Sequence, residues 1–375
     1  MTDSHIIGCI LGTAVGDALG LPYEGVSRRR QRRLLGPPDR HRFLLRRGMI
    51  SDDTEHTCLV AQSLIAANFD HDRFRREFAR RLRWWFASLP AGVGRATFRS
   101  CLKLWVGISP QSSGVFSAGN GPAMRSAIIG ATIDDLSAMV DFVRASTKVT
   151  HSDPKAEYGA IAVALAAYLA RRERAIDGQQ FIQQLADIID SGCDELMSLL
   201  RDVVESVSIG ESTMKFAANN GHARGVTGYT YHTVPVVIHA WLSTPYDYRV
   251  AVTSVIECGG DTDTTAAIVG GIVGTATGEA GIPNEWLSNI REWPRSIAWM
   301  RRLSHQLSES VIDKTPRKPI SVNFFSVLLR NIFFLVVVLI HGFRRLLPPY
   351  PLRGFASLCP FALKRNAAPT KRLSL

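Results

Sequence analysis

The stretch Cys258-Gly259-Gly260-Asp261-Thr262-Asp263-Thr264-Thr265 runs without a break into Ala266-Ala267-Ile268-Val269-Gly270-Gly271-Ile272. A glycine turn followed by small and apolar residues predicts the start of a buried helix. One acidic or hydroxyl residue at such a start is an ordinary cap, because the free N–H groups and the macrodipole favour it. Two carboxylates and several hydroxyls within five positions exceed that need. They repel one another, and a bound cation is the usual remedy. Oxygen ligands of this kind suit a hard ion such as Mg²⁺, Mn²⁺ or Ca²⁺ rather than zinc.

A second stretch, Ser51-Asp52-Asp53-Thr54, repeats the pattern ahead of the apolar run Cys58-Leu59-Val60. A cap accounts for each acidic start separately but not for the pair. Two such starts facing each other would hold one or two metal ions.

Glycines supply the means of bringing them together. Gly8, Gly12, Gly16 and Gly20 recur at every fourth position in a segment predicted helical over 5–19, and Gly270, Gly274 and Gly278 repeat the spacing. Glycine costs a helix about 1 kcal/mol relative to alanine. Four on one ridge therefore call for close backbone approach by a neighbouring helix. The two glycine ridges are expected to pack together, with the end of the first helix beside the start of the second. Asp17 and Glu24 would then lie near Asp261 and Asp263.

The rest of the chain reads as helices. Residues 72–89, 178–208 and 234–242 show helical periodicity. Asp153-Pro154 opens a further helix, whose continuation over 160–169 is almost wholly Ala, Val, Ile and Leu. Strand-like alternation of any length is absent, so the body is expected to be all-α, one orthogonally packed domain over 1–300 with an extension over 301–375. A loop from Ser112 to Pro122 carries three glycines ahead of a helix start at Ala123; it reads either as a phosphate cradle or as a plain turn. His151, just ahead of Asp153, either faces the same cleft or is a structural histidine.

With 44 Lys and Arg against 33 Asp and Glu the chain has a formal net charge of +11, but the excess is local. Eleven Lys and Arg and no acid occupy 314–375, leaving thirty-three of each sign in 1–313. A neutral body argues against a dedicated nucleic-acid-binding domain. Nine arginines between Arg28 and Arg47 form a further basic stretch, either solvated or facing an anionic substrate or partner. Six scattered cysteines without metal spacing read as free thiols in a reducing, cytoplasmic setting, and the N-terminus lacks the basic flank of a signal peptide.

Residues 322–343 are strongly apolar, with nine consecutive apolar residues over 332–340 and basic flanks. Arg330 and Asn331 interrupt the stretch, and a central Arg costs about 2.5–3.5 kcal/mol on insertion. Three readings stay open: a helix packed on the body, an interfacial anchor on an anionic membrane surface through 320–345, and a true span. The Pro-rich, basic segment beyond 344 is expected to be disordered or surface-bound.

Taken in order, the segment Gly12-Thr13-Ala14-Val15-Gly16-Asp17-Ala18-Leu19-Gly20 with Glu24, Ser51-Asp52-Asp53-Thr54, Gly119-Asn120-Gly121-Pro122-Ala123-Met124-Arg125, His151 and Gly260-Asp261-Thr262-Asp263-Thr264 resemble the ADP-ribosylglycohydrolase family. The resemblance covers about residues 5–290. It implies an all-α fold with a centre of two Mg²⁺ or Mn²⁺ ions held by Ser51, Asp52, Asp53, Asp261, Asp263 and Thr264. The family more often has threonine where Ser51 stands. The resemblance further implies Glu24 near the scissile bond, Asp53 in catalysis, the loop of Phe116, Ser117, Gly119, Asn120 and Gly121 against ADP-ribose, and His151 at the ribose. An ADP-ribosylated protein or ADP-ribose conjugate would be the substrate, cleaved by water at the anomeric carbon. Two other readings compete: a catalytically silent ADP-ribose-binding relative, and a metal-dependent phosphohydrolase. Neither the arginine stretch nor anything beyond about residue 300 has a counterpart in the family.

Overall fold

A computed structural model of the chain describes residues 2–173, 177–189 and 192–346. Ten of its helices carry the architecture: α1 (Thr2–Gly20), α2 (Asp52–Ala67), α3 (His71–Ala87), α4 (Arg95–Trp105), α5 (Leu136–Thr150), α6 (Pro154–Ala170), α7 (Thr230–Ser243), α8 (Thr262–Thr277), α9 (Ile297–Asp313) and α10 (Phe324–Leu346). Further helices, among them Gly178–Ile188, Asp194–Ser208 and Tyr248–Cys258, and turns connect them, and the described residues form no β-strand. The all-α expectation holds.

Helices α1 and α8 form the antiparallel pair expected from their glycines. A Cβ placed on Gly8, Gly12, Gly16 or Gly20 would fall 2.0–2.2 Å from the carbonyl oxygen of Gly274, Gly270, Ala266 or Thr262 respectively. Only glycine leaves room for backbones to touch along the whole seam. Thr262 Oγ1 donates to the Gly20 carbonyl (2.9 Å) and the Tyr248 hydroxyl to that of Gly12 (2.6 Å), so polar groups at the seam are satisfied. Helix α6, buried on nearly every face, packs against α8, α7 and α5 at the centre of the core.

Starts and stops follow the local sequence. Asp70, Asp135 and Asp153 each cap a helix by accepting a backbone N–H, and Pro154 takes the first helical position. Helix α9 packs against α1 and α2, so the helical body extends through Asp313. Helix α10 lies on that body, as described below. Residues 347–375, including Cys359 and five of the eleven basic residues of the tail, lie outside the described residues.

Candidate active site

Both acidic starts are helix N-termini, and the α1–α8 seam sets them face to face. Ser51 caps α2: its Oγ accepts the Asp53 N–H (3.4 Å) and donates to Asp53 Oδ2 (3.0 Å). Beneath it lies Asp17, on the last turns of α1 and fully buried. Its carboxylate accepts the N–H groups of Ser51 (2.8 and 3.0 Å) and Thr54 (3.2 Å) and the Thr54 hydroxyl (2.5 Å). Asp17 thus ties the N-terminus of α2 to α1. Burial pushes its carboxyl up to about 6, against the pull of those hydrogen bonds.

On the other side Asp261 holds the N-cap position of α8 without a side-chain bond to the helix N–H groups. Gly259 and Gly260 approach it with φ of +75° and +85°, and a Cβ on Gly260 would meet the Val226 carbonyl oxygen at 1.9 Å. Asp261 Oδ2 accepts Asn120 Nδ2 at 2.7 Å, and Thr264 Oγ1 reaches across to Asp53 Oδ2 at 3.4 Å. That last contact joins the two motifs directly.

The aspartate charges here are uncompensated among the described residues. Burial, followed by repulsion from neighbouring carboxylates, holds Asp52, Asp53 and Asp263 well above the usual carboxylate range. The neighbours are Asp17 and Glu55 for Asp52; Asp52, Asp17 and Asp261 for Asp53; and Glu24, Asp261 and Asp53 for Asp263. Among the described residues none of these aspartates pairs with Lys or Arg, and Asp53 Oδ1 and Asp263 Oδ1 are buried without a hydrogen-bond partner. Buried oxygens of this kind normally have a donor or a cation. No three Asp, Glu, His or Cys side chains of the described residues already converge as a finished coordination shell. The all-oxygen donor set nevertheless fits a hard divalent ion.

The cleft between the motifs has a volume of about 400 Å³. Glu24, Ser51, Asp52, Asp261, Asp263 and Thr264 form its acidic wall, and Ser117, Gly119, Asn120, Gly121 and His151 the wall opposite. Two expected site residues stand elsewhere. Asp53 lies beneath the wall, enclosed by Ser51 and Thr264, and Phe116 projects outward, 78 % exposed. A third, apolar wall consists of Leu21, Ala91, Phe334 and Val338. Its last two residues belong to α10, so the C-terminal helix is part of the cleft.

The glycine loop is held by pairings that no local pattern announces. Val115 donates to the Thr150 carbonyl (3.0 Å), Asn120 to that of Gly228 (2.9 Å), and Thr230 to that of Ala118 (2.9 Å). The His151 ring packs against the loop so closely that a Cβ on Gly119 or Gly121 would lie 3.1 Å from it. His151 Nδ1 is 2.8 Å from Thr150 Oγ1, and burial pushes the imidazole down to about 3, so it is neutral at physiological pH.

Sequence reasoning missed Arg125, which is fully buried under this loop. It donates to the Gly121 carbonyl (2.9 Å), Ser146 Oγ (2.9 Å), the Ser146 carbonyl (3.0 Å) and Thr150 Oγ1 (2.7 Å), and its guanidinium stacks over Phe78. An arginine three residues after the Gly119–Pro122 turn was the available signal. A second omission is a set of buried ion pairs behind the α2 motif. Glu55 accepts from Arg295 Nη1 and Trp85 Nε1 (both 2.6 Å), while Glu292 pairs with Arg330 and accepts the Ile50 N–H (3.2 Å). The basic stretch at 28–47 contributes Arg28, which donates to the carbonyls of Cys258 (2.8 Å) and His222 (3.3 Å) and braces the turn before Asp261.

Comparison with known proteins places this arrangement. The sequence model of the ADP-ribosylglycohydrolase family matches residues 2–317, and the chain belongs to that family, a class of hydrolases acting on the glycosidic bond to ADP-ribose. An uncharacterised protein of Archaeoglobus fulgidus is 30 % identical over 293 residues, covering 76 % of this chain and 90 % of its own length. ADP-ribosylhydrolase ARH3 of Gallus gallus is 28 % identical (74 % and 87 % covered), and the ADP-ribosyl-[dinitrogen reductase] glycohydrolase of Rhodospirillum rubrum 27 % (76 % and 89 %). A solved ADP-ribosylglycohydrolase-related protein complex shares the fold, with a TM-score of 0.57 at 23 % identity over 83 % of this chain and 99 % of that one.

Proposed function

We propose that this cleft removes ADP-ribose from a modified protein or other conjugate, with two Mg²⁺ or Mn²⁺ ions held by Ser51, Asp52, Asp53, Asp261, Asp263 and Thr264. The observation that carries the reading is the uncompensated cluster of carboxylates, two of whose buried oxygens have no protein partner. Bound ions would supply Lewis acidity at the ribose diol and at water.

The remaining roles fall to the chain. Glu24, exposed on the acidic wall of the cleft, is assigned the proton transfer. A water oxygen bonds to the anomeric carbon while the bond to the acceptor breaks and the acceptor keeps the electron pair. Glu24 moves the proton from that water or to the acceptor atom. Asp53, enclosed, serves the ions rather than the substrate. Ser117, Gly119, Asn120 and Gly121 meet the ADP-ribose, Phe116 does so from the rim, and neutral His151 lines the ribose. Residence in a reducing, cytoplasmic compartment belongs to the same proposal, on the strength of the scattered cysteine positions in the sequence.

Release of ADP-ribose from a panel of ADP-ribosylated proteins, with Mg²⁺ and with chelator, tests the reading. Metal-dependent release that Asp261→Asn abolishes is expected. ADP-ribose binding without release would point to a silent relative, and release of inorganic phosphate to a phosphohydrolase.

A further inference from the structure

Helix α10 carries polar anchors among apolar residues on its inward side and is apolar outward. On its inner side Arg330 donates to both oxygens of Glu292 (2.8 Å each) and to the Ile50 carbonyl (2.5 Å). Asn331 donates to the Ser88 carbonyl (2.8 Å), and His341 Nε2 lies 3.0 Å from the Pro22 carbonyl oxygen. Phe334 and Val337 fill an apolar pocket with Leu21, Phe43 and Met49. These contacts, spread over three turns, lay the helix flat on the body. A transmembrane orientation would break them and strand Glu292 without its cation.

The outer side is a stripe. Phe325, Leu329, Phe333, Val336, Ile340 and Phe343 follow at helical spacing, each between 49 % and 73 % exposed. The apolar surface continues onto the body: Trp84, 53 % exposed, meets Phe324 edge-on (5.7 Å) and Trp105 likewise (5.8 Å). Arg80 and Arg81, which share Glu77 as their partner and so leave one net positive charge, lie in a groove with Trp84 and Phe324. From Lys314 to Leu375 the sequence has eleven Lys and Arg and no Asp or Glu.

An apolar stripe edged by tryptophans and cations matches a bilayer interface with anionic headgroups. A second copy on the same face would instead bring two cationic tails together. We propose that the outer face of α10, continued by Trp84 and Trp105, docks this protein on an anionic lipid surface with α10 in the membrane plane. Phe334 and Val338 of the same helix line the cleft. The cleft wall is therefore one helix diameter, about 10 Å, from the lipid. On the proposed hydrolase reading, the acceptors it serves are those carried at a membrane surface.

The test is flotation of the full chain with vesicles of phosphatidylcholine alone or with about 30 mol % phosphatidylglycerol. Flotation with the anionic vesicles only, weakened by salt, is expected. Phe333→Glu with Ile340→Glu should reduce it at least about 100-fold, with helix content and melting temperature unchanged. Trp84→Ser with Trp105→Ser, which leaves α10 untouched, should reduce it about tenfold. The proposal is overturned by absence of flotation, by flotation that both double variants retain, or by binding that resists alkaline extraction as a span would. A dimer in solution that Phe333→Glu with Ile340→Glu dissolves would also overturn it. Each readout is independent of ADP-ribose turnover.

Discussion

Neutralising Asp263 should change stability in opposite directions with and without divalent cation. In the metal-free protein its Oδ1 is buried without a donor, and burial and its acidic neighbours raise the carboxyl above its unfolded pKa. A carboxyl raised on folding is destabilising wherever the unfolded chain is ionised, that is, above the ordinary carboxylate range, and the penalty fades as pH falls through that range. Asp263→Asn, nearly isosteric, removes the charge that burial and the neighbouring carboxylates penalise, and should therefore stabilise the metal-free protein at pH 7 by about 2 kcal/mol, or about 3 °C in melting temperature for a body of this size. Wild type in Mg²⁺ at 100 times its dissociation constant should gain about 2.7 kcal/mol, a gain the variant largely forfeits. Thermal melts of both proteins in chelator and in Mg²⁺ should therefore cross: the variant higher in chelator, the wild type higher in Mg²⁺. A variant that melts lower in chelator and is shifted equally by Mg²⁺ would refute the idea that these carboxylates await a cation.

Other consequences of the geometry are open to measurement. Phe334→Ala removes part of the apolar cleft wall, and we expect about tenfold higher KM for a modified protein acceptor with kcat little changed; an equal loss in kcat would mean that α10 acts on the chemistry. Arg330→Met leaves Glu292 buried and unpaired and should cost about 3–5 kcal/mol in a denaturant titration, most of it recovered by adding Glu292→Gln; additive losses would deny the coupling. Gly16→Ala drives a Cβ to 2.0 Å from the Ala266 carbonyl oxygen and should cost about 2 kcal/mol despite alanine's helix preference, where an unchanged melting temperature would disprove the tight seam. His239, buried against Phe216 and pushed down to about 4 by that burial, binds a proton more readily in the unfolded chain. Its contribution is complete above about pH 6.5 and lost toward pH 4, so His239→Gln should flatten the stability profile there by up to about 1.4 kcal/mol per pH unit.

Much of the site was legible because its signals are local. The glycine ridges state their own spacing, and the paired acids at helix starts exceed what capping requires. From these followed the α1–α8 seam and the meeting of Asp52 with Asp261 and Asp263. Illegible were interactions whose partners lie far apart in the chain and follow no period. Arg295 meets Glu55 across 240 positions and Arg330 meets Ile50 across 280. Asp17 was expected beside the acidic motifs, but its hydrogen bonds to the backbone of Ser51 and Thr54 depend on a tertiary approach. Arg330 and Asn331 were read as interruptions of an apolar helix; they are its attachment to the body. Which side of that helix faces inward follows from Glu292 and Ser88, which the local sequence of α10 does not contain.

The backbone seam between α1 and α8 also orders events in time. Helix α1 is synthesised well before its partner, for the groove that fits its glycines is made some 240 residues later. At about 5–20 residues per second, α1 waits on the order of ten seconds or more before its partner emerges. Throughout that interval the Ser51–Asp52–Asp53 half of the site exists without Asp261 and Asp263. On the proposed metal-binding reading, a nascent chain that has not reached Asp263 lacks half of its cation ligands, and ion binding would report that α8 has joined α1.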